Sequence, residues 1–558
     1  MKKIYLYIKY YFLTFLNIIK IKGKLKNYPD WGKLLRSKFE KKEFKDKKKI
    51  LIATSTGGHK IALTTEMIFG FSLDLKGADV EFLLCDQSLS ACSQCTHAQY
   101  ESEDEFNIIK AKKNCSSCWS IGNAYMKRSK FKINKFSDFI EQKDFDRIDK
   151  ILDETEISKI KNFKIDNISV GEHAYSGVLR YFARGQIPNT INSKKIYVEY
   201  FKSALITYFM SVKLFSKKKY DKILLNHGIY TPQGIICDVA NKFNVKVVTW
   251  YTSYRKKTVT LSHKGTYHKT LLNDEYTDWE NIKLDKNKLL KLDQYLSSRR
   301  HGGNDWIYFQ GKNQNFDIEN YLKENKINTK RKIVSIFTNV IWDAQLYYEQ
   351  NIFNDIIEWC NETINFLKDK DVTVLLRIHP AELSGSLPSN QKIYNEIMNR
   401  FQKLPTNINI IQPDNTLNSY SIIDKSSLCI VYASTIANEI AAMGKPLIIG
   451  GEAYIKNKGI TYDPKSKKEY FQFIDELLKK PEIDETIKIR AKKYAYYFYF
   501  QRMIPIDLID ITEGKISDFM IDFKKVKKMI KGDYFDKGLD IICDGILNGK
   551  EFIYIDEK

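Results

Sequence analysis

Cysteine is scarce in this chain, with 9 cysteines among 558 residues, and this scarcity excludes a disulfide-stapled scaffold. An internal repeat of about 20 to 50 residues is missing too, which argues against a repeat architecture. A long uncharged hydrophobic run is also lacking, because the apolar stretch at residues 4–21 is interrupted by Lys9 and Lys20. No small-residue cleavage site follows it. The sequence therefore predicts neither a removable signal peptide nor a membrane-spanning helix.

Hydrophobic residues make up 43% of the chain and charged residues 28%, a composition typical of globular proteins with sizeable cores. The length predicts two or three domains. Basic residues exceed acidic ones by 22, and residues 1–50, with 16 basic and 4 acidic side chains, contribute 12 of that excess. Because the remainder is only modestly basic, we expect no nucleic-acid partner.

Residues 1–48 have the pattern of a segment that lies on a membrane surface. Lys9 and Lys20 are eleven positions apart and fall on one helical face, and lysine-rich sequence follows as far as residues 47–49. We expect an in-plane amphipathic helix with a polybasic extension, held by apolar insertion and by anionic lipid. The protein is then cytoplasmic and peripheral on the inner face of the cell membrane. The alternative is a helix packed on the protein's own body, followed by a lysine-rich linker.

Strands followed by helices recur along the chain and predict an α/β protein with two successive Rossmann-like domains rather than a barrel. The first series opens with an apolar strand at residues 50–53, and the second opens at residues 331–337. We predict an N-terminal domain at 49–325 with a Cys-rich insertion at about 85–120, a C-terminal domain at 326–480, and a helical segment at 481–558.

Three motifs place polar side chains directly after predicted strands, at the edge where open α/β sheets bind ligands. STGGH at residues 55–59 offers flexible glycines and an imidazole. RIHP at 377–380 offers a histidine that can donate to phosphate. STIANE at 434–439 offers hydroxyl groups for phosphate and, one turn later, a carboxylate for ribose hydroxyls. The predicted ligand-binding residues are Gly57, Gly58, His59, Arg377, His379, Ser434, Thr435 and Glu439. The ordinary alternatives are a tight turn, a structural histidine and a capped helix.

Together, the His-Pro motif, the Ser-Thr-x-x-x-Glu motif, the Gly-Lys-Pro that follows it, and GEAYIKNKGITYD at 451–463 resemble bacterial capsule and lipopolysaccharide biosynthesis glycosyltransferases. The STGGH loop, the paired cysteines, VGEHA at 170–174 and FTNVIWD at 337–343 resemble the same family. The similarity spans roughly residues 50–475. It implies the GT-B fold, in which two Rossmann-like domains face a cleft, with the nucleotide-sugar on the C-terminal domain and the acceptor on the N-terminal domain. It also implies transfer without a metal, with the donor nucleotide held by His379, Ser434, Thr435 and Glu439.

We therefore expect a glycosyltransferase that moves sugar from a CMP-, UDP- or GDP-linked donor to a capsule or lipopolysaccharide glycan, which is lipid-linked or free. Such transfer needs a base near the acceptor hydroxyl. Glu172, between a glycine and a histidine, is the first candidate for this catalytic role, and Asp343 is the second. Either residue could instead be a helix cap or an ion-pair partner.

The paired cysteines predict a structural metal site. Cys92 and Cys95 are separated by two residues, as are Cys115 and Cys118, and nineteen residues lie between the pairs. This spacing matches a tetrahedral zinc site with four thiolate ligands. Free thiols and an iron–sulfur cluster are the alternatives.

Two other functions remain open from the sequence. A sugar-nucleotide epimerase can share the same two-domain fold, but it has no use for a membrane anchor. A zinc-containing nucleic-acid-binding protein would account for the paired cysteines and the positive charge. It is disfavoured because the basic excess lies in residues 1–50, away from the cysteines.

Overall fold

The computed structural model describes residues 4–9, 12, 15, 47–129, 131–272, 278–306, 313–343, 351–385, 387–511 and 519–556. Residues 4–9, 12 and 15 are helical, whereas residues 16–46 of the predicted membrane segment lie outside the described residues. Across the described ranges, no helix is both long enough and apolar enough to cross a membrane.

The first α/β unit contains a seven-stranded sheet. Its strands are β1 (Lys49–Ser55), β2 (Asp79–Leu84), β3 (Lys132–Lys135), β4 (Lys222–Asn226), β5 (Lys246–Thr252), β6 (Thr258–His263) and, from far along the chain, β12 (Ile504–Pro505). Their order is β12-β6-β5-β4-β1-β2-β3. The strands from β5 to β3 are parallel, and β6 runs antiparallel to both of its neighbours.

Helices cover both faces of this sheet. They are α1 (Lys60–Leu75), α2 (Glu103–Ile109), α3 (Lys112–Ser129), α4 (Gln142–Glu154), α5 (Val170–Phe182), α6 (Ile191–Lys217), α7 (Gln233–Lys242) and α8 (Tyr267–Leu272). The next two helices, α9 (Lys286–His301) and α10 (Ile318–Glu324), instead pack in a core that contains residues of the second sheet. Successive side chains of β1 enter different cores, because neighbouring strand residues point to opposite faces. Leu51 and Ala53 pack in the core that contains α5, α6 and α7, and Ile50 and Ile52 pack in the core that contains α1.

The second α/β unit has a wholly parallel five-stranded sheet. Its strands are β7 (Lys332–Phe337), β8 (Val372–Arg377), β9 (Ile408–Ile411), β10 (Leu428–Val431) and β11 (Leu447–Ile449), in the order β11-β10-β7-β8-β9. Its helices are α11 (Ile356–Leu367), α12 (Ala381–Ser384), α13 (Ile393–Phe401), α14 (Ser419–Lys425), α15 (Ile436–Ala442) and α16 (Lys467–Lys479). Buried residues again alternate between two cores along β7. The predicted class of two Rossmann-like α/β units is confirmed.

The end of the chain returns to the first unit. After α17 (Glu485–Tyr496), the strand β12 pairs with β6. The remaining elements are β13 (Ile509–Ile511), β14 (Phe519–Ile521), α18 (Phe523–Lys531) and α19 (Lys537–Asn548). Ile542 and Cys543 of α19 pack in the same core as Ile50. The segment predicted as helical, residues 481–558, therefore contains strands and completes the N-terminal unit.

Candidate active site

The carboxyl ends of the two parallel sheets face each other across one gap. Residues that follow β4 and β5 lie beside residues that follow β7 and β10. The segment after β6 likewise contacts the loop after β11. Side-chain hydrogen bonds that cross the gap include Tyr230 to Asp343 (3.3 Å) and Tyr454 with His268 (3.1 Å), and the side chains of Tyr254 and Thr435 lie close together across it. Since parallel α/β sheets bind ligands at this edge, the gap is the candidate active site. Two parallel-sheet units facing each other in this way define the GT-B class of fold.

Histidines line the N-terminal side of the gap. His59 follows the loop after β1, and His227 follows β4 and shares a hydrogen bond of 3.1 Å with the Tyr267 hydroxyl. Burial, and then the nearby positive charge of Arg180, lower the pKa of His59 to about 4. Burial also lowers the pKa of His227 well below its usual value. Both imidazoles are therefore neutral at pH 7 and can each accept or donate a hydrogen bond.

Helix packing requires the first glycine of the STGGH motif, Gly57. A Cβ on Gly57 would lie 2.4 Å from the carbonyl oxygen of Cys118 on α3. The backbone N–H of Gly58 donates to Cys118 Sγ at 3.0 Å. The close approach of the loop to α3 therefore explains Gly57, whereas a Cβ on Gly58 would lie 3.3 Å from Cys118. The ligand contact predicted for both glycines stays a prediction.

His379 lies at the end of β8, on the C-terminal side of the gap. Its backbone N–H donates to the Thr338 hydroxyl at 3.0 Å, and its Nδ1 accepts from the Ala381 N–H at 3.0 Å. Burial, and then the positive charge of Arg377, lower the His379 pKa to about 4, so the ring is neutral. Because Nδ1 accepts, the ring proton is on Nε2, and His379 can donate a hydrogen bond from that atom to a ligand.

Arg377 holds a loop in place. Its guanidinium donates to the carbonyl oxygen of Gln412 and, at 3.0 Å, to that of Asn415. Burial lowers its pKa to about 10. This predicted ligand-binding residue is thus engaged with the backbone after β9, and a direct ligand contact stays a prediction.

Ser434 and Thr435 precede α15 and lie on the same sheet edge as His379. Strands β8 and β10 flank β7, so the two motifs are two strand spacings apart, roughly 10 Å. The Thr435 side chain lies near that of Tyr254 on the other side of the gap and moderates the rise of the Tyr254 pKa that burial causes. The structure therefore places the His-Pro and Ser-Thr motifs at one edge of the second sheet, and the ligand contacts predicted for them stay a prediction.

Glu439 is buried in an ionic network. One of its carboxylate oxygens lies 3.0 Å from Arg299 Nη2 and accepts from the Tyr499 hydroxyl at 3.2 Å. The other oxygen accepts from the Tyr420 hydroxyl. Both oxygens are thus engaged by protein groups, and a bond to ribose requires one of these groups to move.

The two candidate bases occupy different places. Glu172, in the first turn of α5, lies 3.8 Å from Lys269 Nζ. It lines a cavity of about 500 Å³ formed by the N-terminal unit and the chain end, and no residue of 326–480 contributes to this cavity. Asp343 is exposed on the C-terminal unit and is reached by Tyr230 from the N-terminal unit. Only Asp343 of this pair contacts residues of both units among the bonds described here.

Sequence reasoning missed the aromatic lining of the gap. The gap residues not singled out from the sequence are Tyr230, Tyr254, Tyr267, His268 and Tyr454. His268 follows the antiparallel strand β6, which was not predicted, so nothing marked it as lying near a strand end. Tyr230 follows His227 by three residues, and this closeness to the end of β4 was a usable signal.

Five cysteines gather around one small cavity. Cys85, Cys92, Cys95, Cys115 and Cys118 line a cavity of about 20 Å³, and none of them is in a disulfide. Burial raises the pKa of the Cys118 thiol to about 12. Within the part of the chain that the structure describes, no group of three or more histidine, cysteine, aspartate or glutamate side chains is placed to hold a metal ion. The thiols therefore share a location, but the structure does not support the predicted zinc site.

No protein-family model and no curated protein matches the chain. Similar solved structures include the beta Kdo 2,4 transferase KpsC of Thermosulfurimonas dismutans, with 11% identity and a TM-score of 0.35 over 56% of this chain and 87% of that one. The UDP-GlcNAc 2-epimerase of Neisseria meningitidis, bound to UDP-GlcNAc, has 13% identity and a TM-score of 0.25 over 80% and 97%. MurG of Acinetobacter baumannii has 10% identity and a TM-score of 0.22 over 90% and 100%. These TM-scores carry no argument of their own, so the fold assignment rests on strand order and on the facing sheet edges.

Replacing Glu439 tests whether it is structural. We expect Glu439→Gln to lower the free energy of unfolding by about 3 kcal/mol, because it leaves the buried Arg299 without one of its charged partners. Denaturant titration measures this loss. Asp371→Asn, which removes an exposed partner of Arg331, serves as the control and changes stability by about 0.5 kcal/mol or less. Wild-type stability of Glu439→Gln would instead favour a direct role in ribose binding.

Metal content tests the zinc prediction made from the cysteine spacing. If the two pairs bind zinc, reduced protein retains about one ion per chain, and Cys92→Ser loses both the ion and thermal stability, since structural zinc adds folding free energy. Cys237→Ser, at a buried thiol outside the cavity, keeps the ion. A wild-type content below about half an ion per chain would contradict the prediction.

Proposed function

We propose that this protein is a glycosyltransferase that moves a sugar from a nucleotide-activated donor to a hydroxyl group of a capsule or lipopolysaccharide glycan, free or lipid-linked. The proposal is supported by the gap between the facing sheet edges, which is lined by neutral imidazoles and hydroxyl groups from both units. A second support is the sequence resemblance. Its His-Pro and Ser-Thr motifs follow β8 and β10, which lie on either side of β7 in the second sheet.

Leaving-group stabilisation is the role proposed for the C-terminal side. When the bond between the anomeric carbon and the donor phosphate oxygen breaks, negative charge develops on the nucleotide. We propose that the Nε2–H of His379 and the hydroxyl groups of Ser434 and Thr435 donate hydrogen bonds to it. Such donors act most strongly where water is excluded. On the N-terminal side of the gap, Arg180 of α5 adds a positive charge beside His59.

Deprotonation of the acceptor is the role proposed for Asp343. The acceptor oxygen forms the new bond to the anomeric carbon, and its proton passes to a base in the gap. Asp343 contacts both units, whereas Glu172 faces Lys269 and a cavity without C-terminal residues. The structure thus favours the second sequence candidate over the first.

Nucleotide binding and turnover test the proposal together. In thermal denaturation with CMP-, UDP- and GDP-linked sugars, one class is expected to stabilise the protein, by about 2.7 kcal/mol at 100 times its dissociation constant. His379→Gln should weaken that nucleotide roughly tenfold or more, since it removes a hydrogen bond to a charged group. The same change at the exposed His301 is the control and leaves binding unchanged.

Turnover of the stabilising donor separates the functions and the two bases. We expect nucleotide release only with a glycan acceptor, and Asp343→Asn should lower turnover at least about 100-fold while it retains nucleotide binding. Glu172→Gln is the matched control and keeps turnover. Loss of turnover in Glu172→Gln alone would restore Glu172 as the base. Epimerisation of the donor sugar without any acceptor would overturn the transferase proposal.

A further inference from the structure

The N-terminal helix is attached to the body of the protein by one side only. Leu6 is buried and packs with Ile109 at the end of α2. The Tyr7 hydroxyl donates to the carbonyl oxygen of Ile108 at 3.4 Å, and Lys9 forms an ion pair with Glu101 at 2.6 Å. These contacts fix which side of the helix faces the protein.

The opposite side of this helix is apolar and exposed. Its large side chains are each 61% to 66% exposed: Ile4, Tyr5, Ile8, Phe12 and Phe15. At about 100° per residue these five positions fall within an arc of about 100°. Leu6 and Tyr7 lie outside that arc. A soluble protein rarely exposes so compact a set of large apolar side chains without a binding partner.

A second exposed apolar feature lies beside the helix. Ile108, which the helix contacts, also lines a surface hollow of about 620 Å³ with Ile157 and Ile191. Ile191, at the start of α6, is 75% exposed. Lys194 and Lys195, on the next turn of α6, line the same hollow and are exposed. Apolar and basic side chains thus continue from the helix onto the body.

Carboxylates near this surface are already paired with protein groups. Glu199 pairs with Lys110, and Glu105 pairs with Lys113 at 2.9 Å. Glu103 accepts hydrogen bonds from the hydroxyl group of Ser193. Lysines therefore compensate two of these carboxylates, Asp104 also lines the hollow, and residues 1–50 carry an excess of 12 positive charges in the sequence.

We propose that the exposed side of the N-terminal helix and the hollow lined by Ile191, Lys194 and Lys195 (the α6 hollow) form one surface that binds an anionic phospholipid bilayer. The helix lies in the plane of the membrane, with its apolar side in the boundary between headgroups and acyl chains. Lysines of the α6 hollow and of the N-terminal segment contact the anionic headgroups. Anionic lipid is favoured over a second protein chain because Lys194 and Lys195 are exposed in the adjoining hollow and because residues 1–50 carry an excess of 12 positive charges. The inference does not depend on the enzymatic proposal.

Vesicle sedimentation of the full chain tests this surface. We expect binding to vesicles of phosphatidylglycerol and phosphatidylcholine, at least tenfold weaker binding to phosphatidylcholine alone, and weaker binding at high salt. The double variant Ile8→Asp with Phe12→Asp should bind at least tenfold more weakly and keep the wild-type melting temperature. Leu290→Asp with Phe535→Asp, which changes two similarly exposed side chains elsewhere, is the matched control and binds as wild type.

The body surface is tested separately with Ile191→Asp combined with Lys194→Glu and Lys195→Glu, which should also weaken binding to anionic vesicles at least tenfold. Wild-type binding by either set of variants would overturn the part of the surface it changes. Absence of wild-type binding to anionic vesicles would overturn the whole proposal. So would a lipid-independent dimer that the Ile8 and Phe12 changes abolish, because a second copy would then cover the helix.

Discussion

The facing carboxyl ends of the two parallel sheets are the constraint on which the candidate site depends. Parallel strands all finish at one edge, so every loop that follows a strand must collect there. When two such edges meet, their polar groups have to find partners across the gap or leave room for a ligand. The bonds from Tyr230 to Asp343 and between His268 and Tyr454 satisfy part of this requirement. The ligand-binding roles that we propose fall on other imidazole and hydroxyl groups at the same edges, those of His379, Ser434 and Thr435.

Burial gives this gap an unusual electrostatic character. The pKa values of His59 and His379 are lowered to about 4, and that of His268 to about 3, mainly because the protein excludes water from the rings. The site therefore presents neutral hydrogen-bond donors and acceptors in place of a cluster of cations. Such a lining suits a ligand that has both hydroxyl groups and phosphate oxygens, as a nucleotide-sugar does. Arg180 supplies positive charge on the N-terminal side.

Continuous apolar runs made most of the parallel strands predictable, because a strand covered by helices on both faces needs hydrophobic residues at every position. The short parallel strand β3, with the sequence Lys-Ile-Asn-Lys, has no such run and was not predicted. The motifs after β1, β8 and β10 were found because each directly follows one of these apolar runs. The sequence did not reveal β6, whose residues mix threonine, valine and serine, or the return of β12 to the first sheet, which is a long-range pairing. The partners of Glu439 were also hidden, since Arg299 is 140 positions away in the chain. Pairing across such separations leaves no local pattern.

The most direct test is a crystal structure of the protein with the nucleotide-sugar that stabilises it most. The account predicts the donor phosphates between the two sheet edges, within hydrogen-bond distance of His379 Nε2 and of the Ser434 or Thr435 hydroxyl. Nucleotide bound in the cavity beside Glu172 and Lys269, or in the cavity beside Glu439 and Arg300, would contradict it.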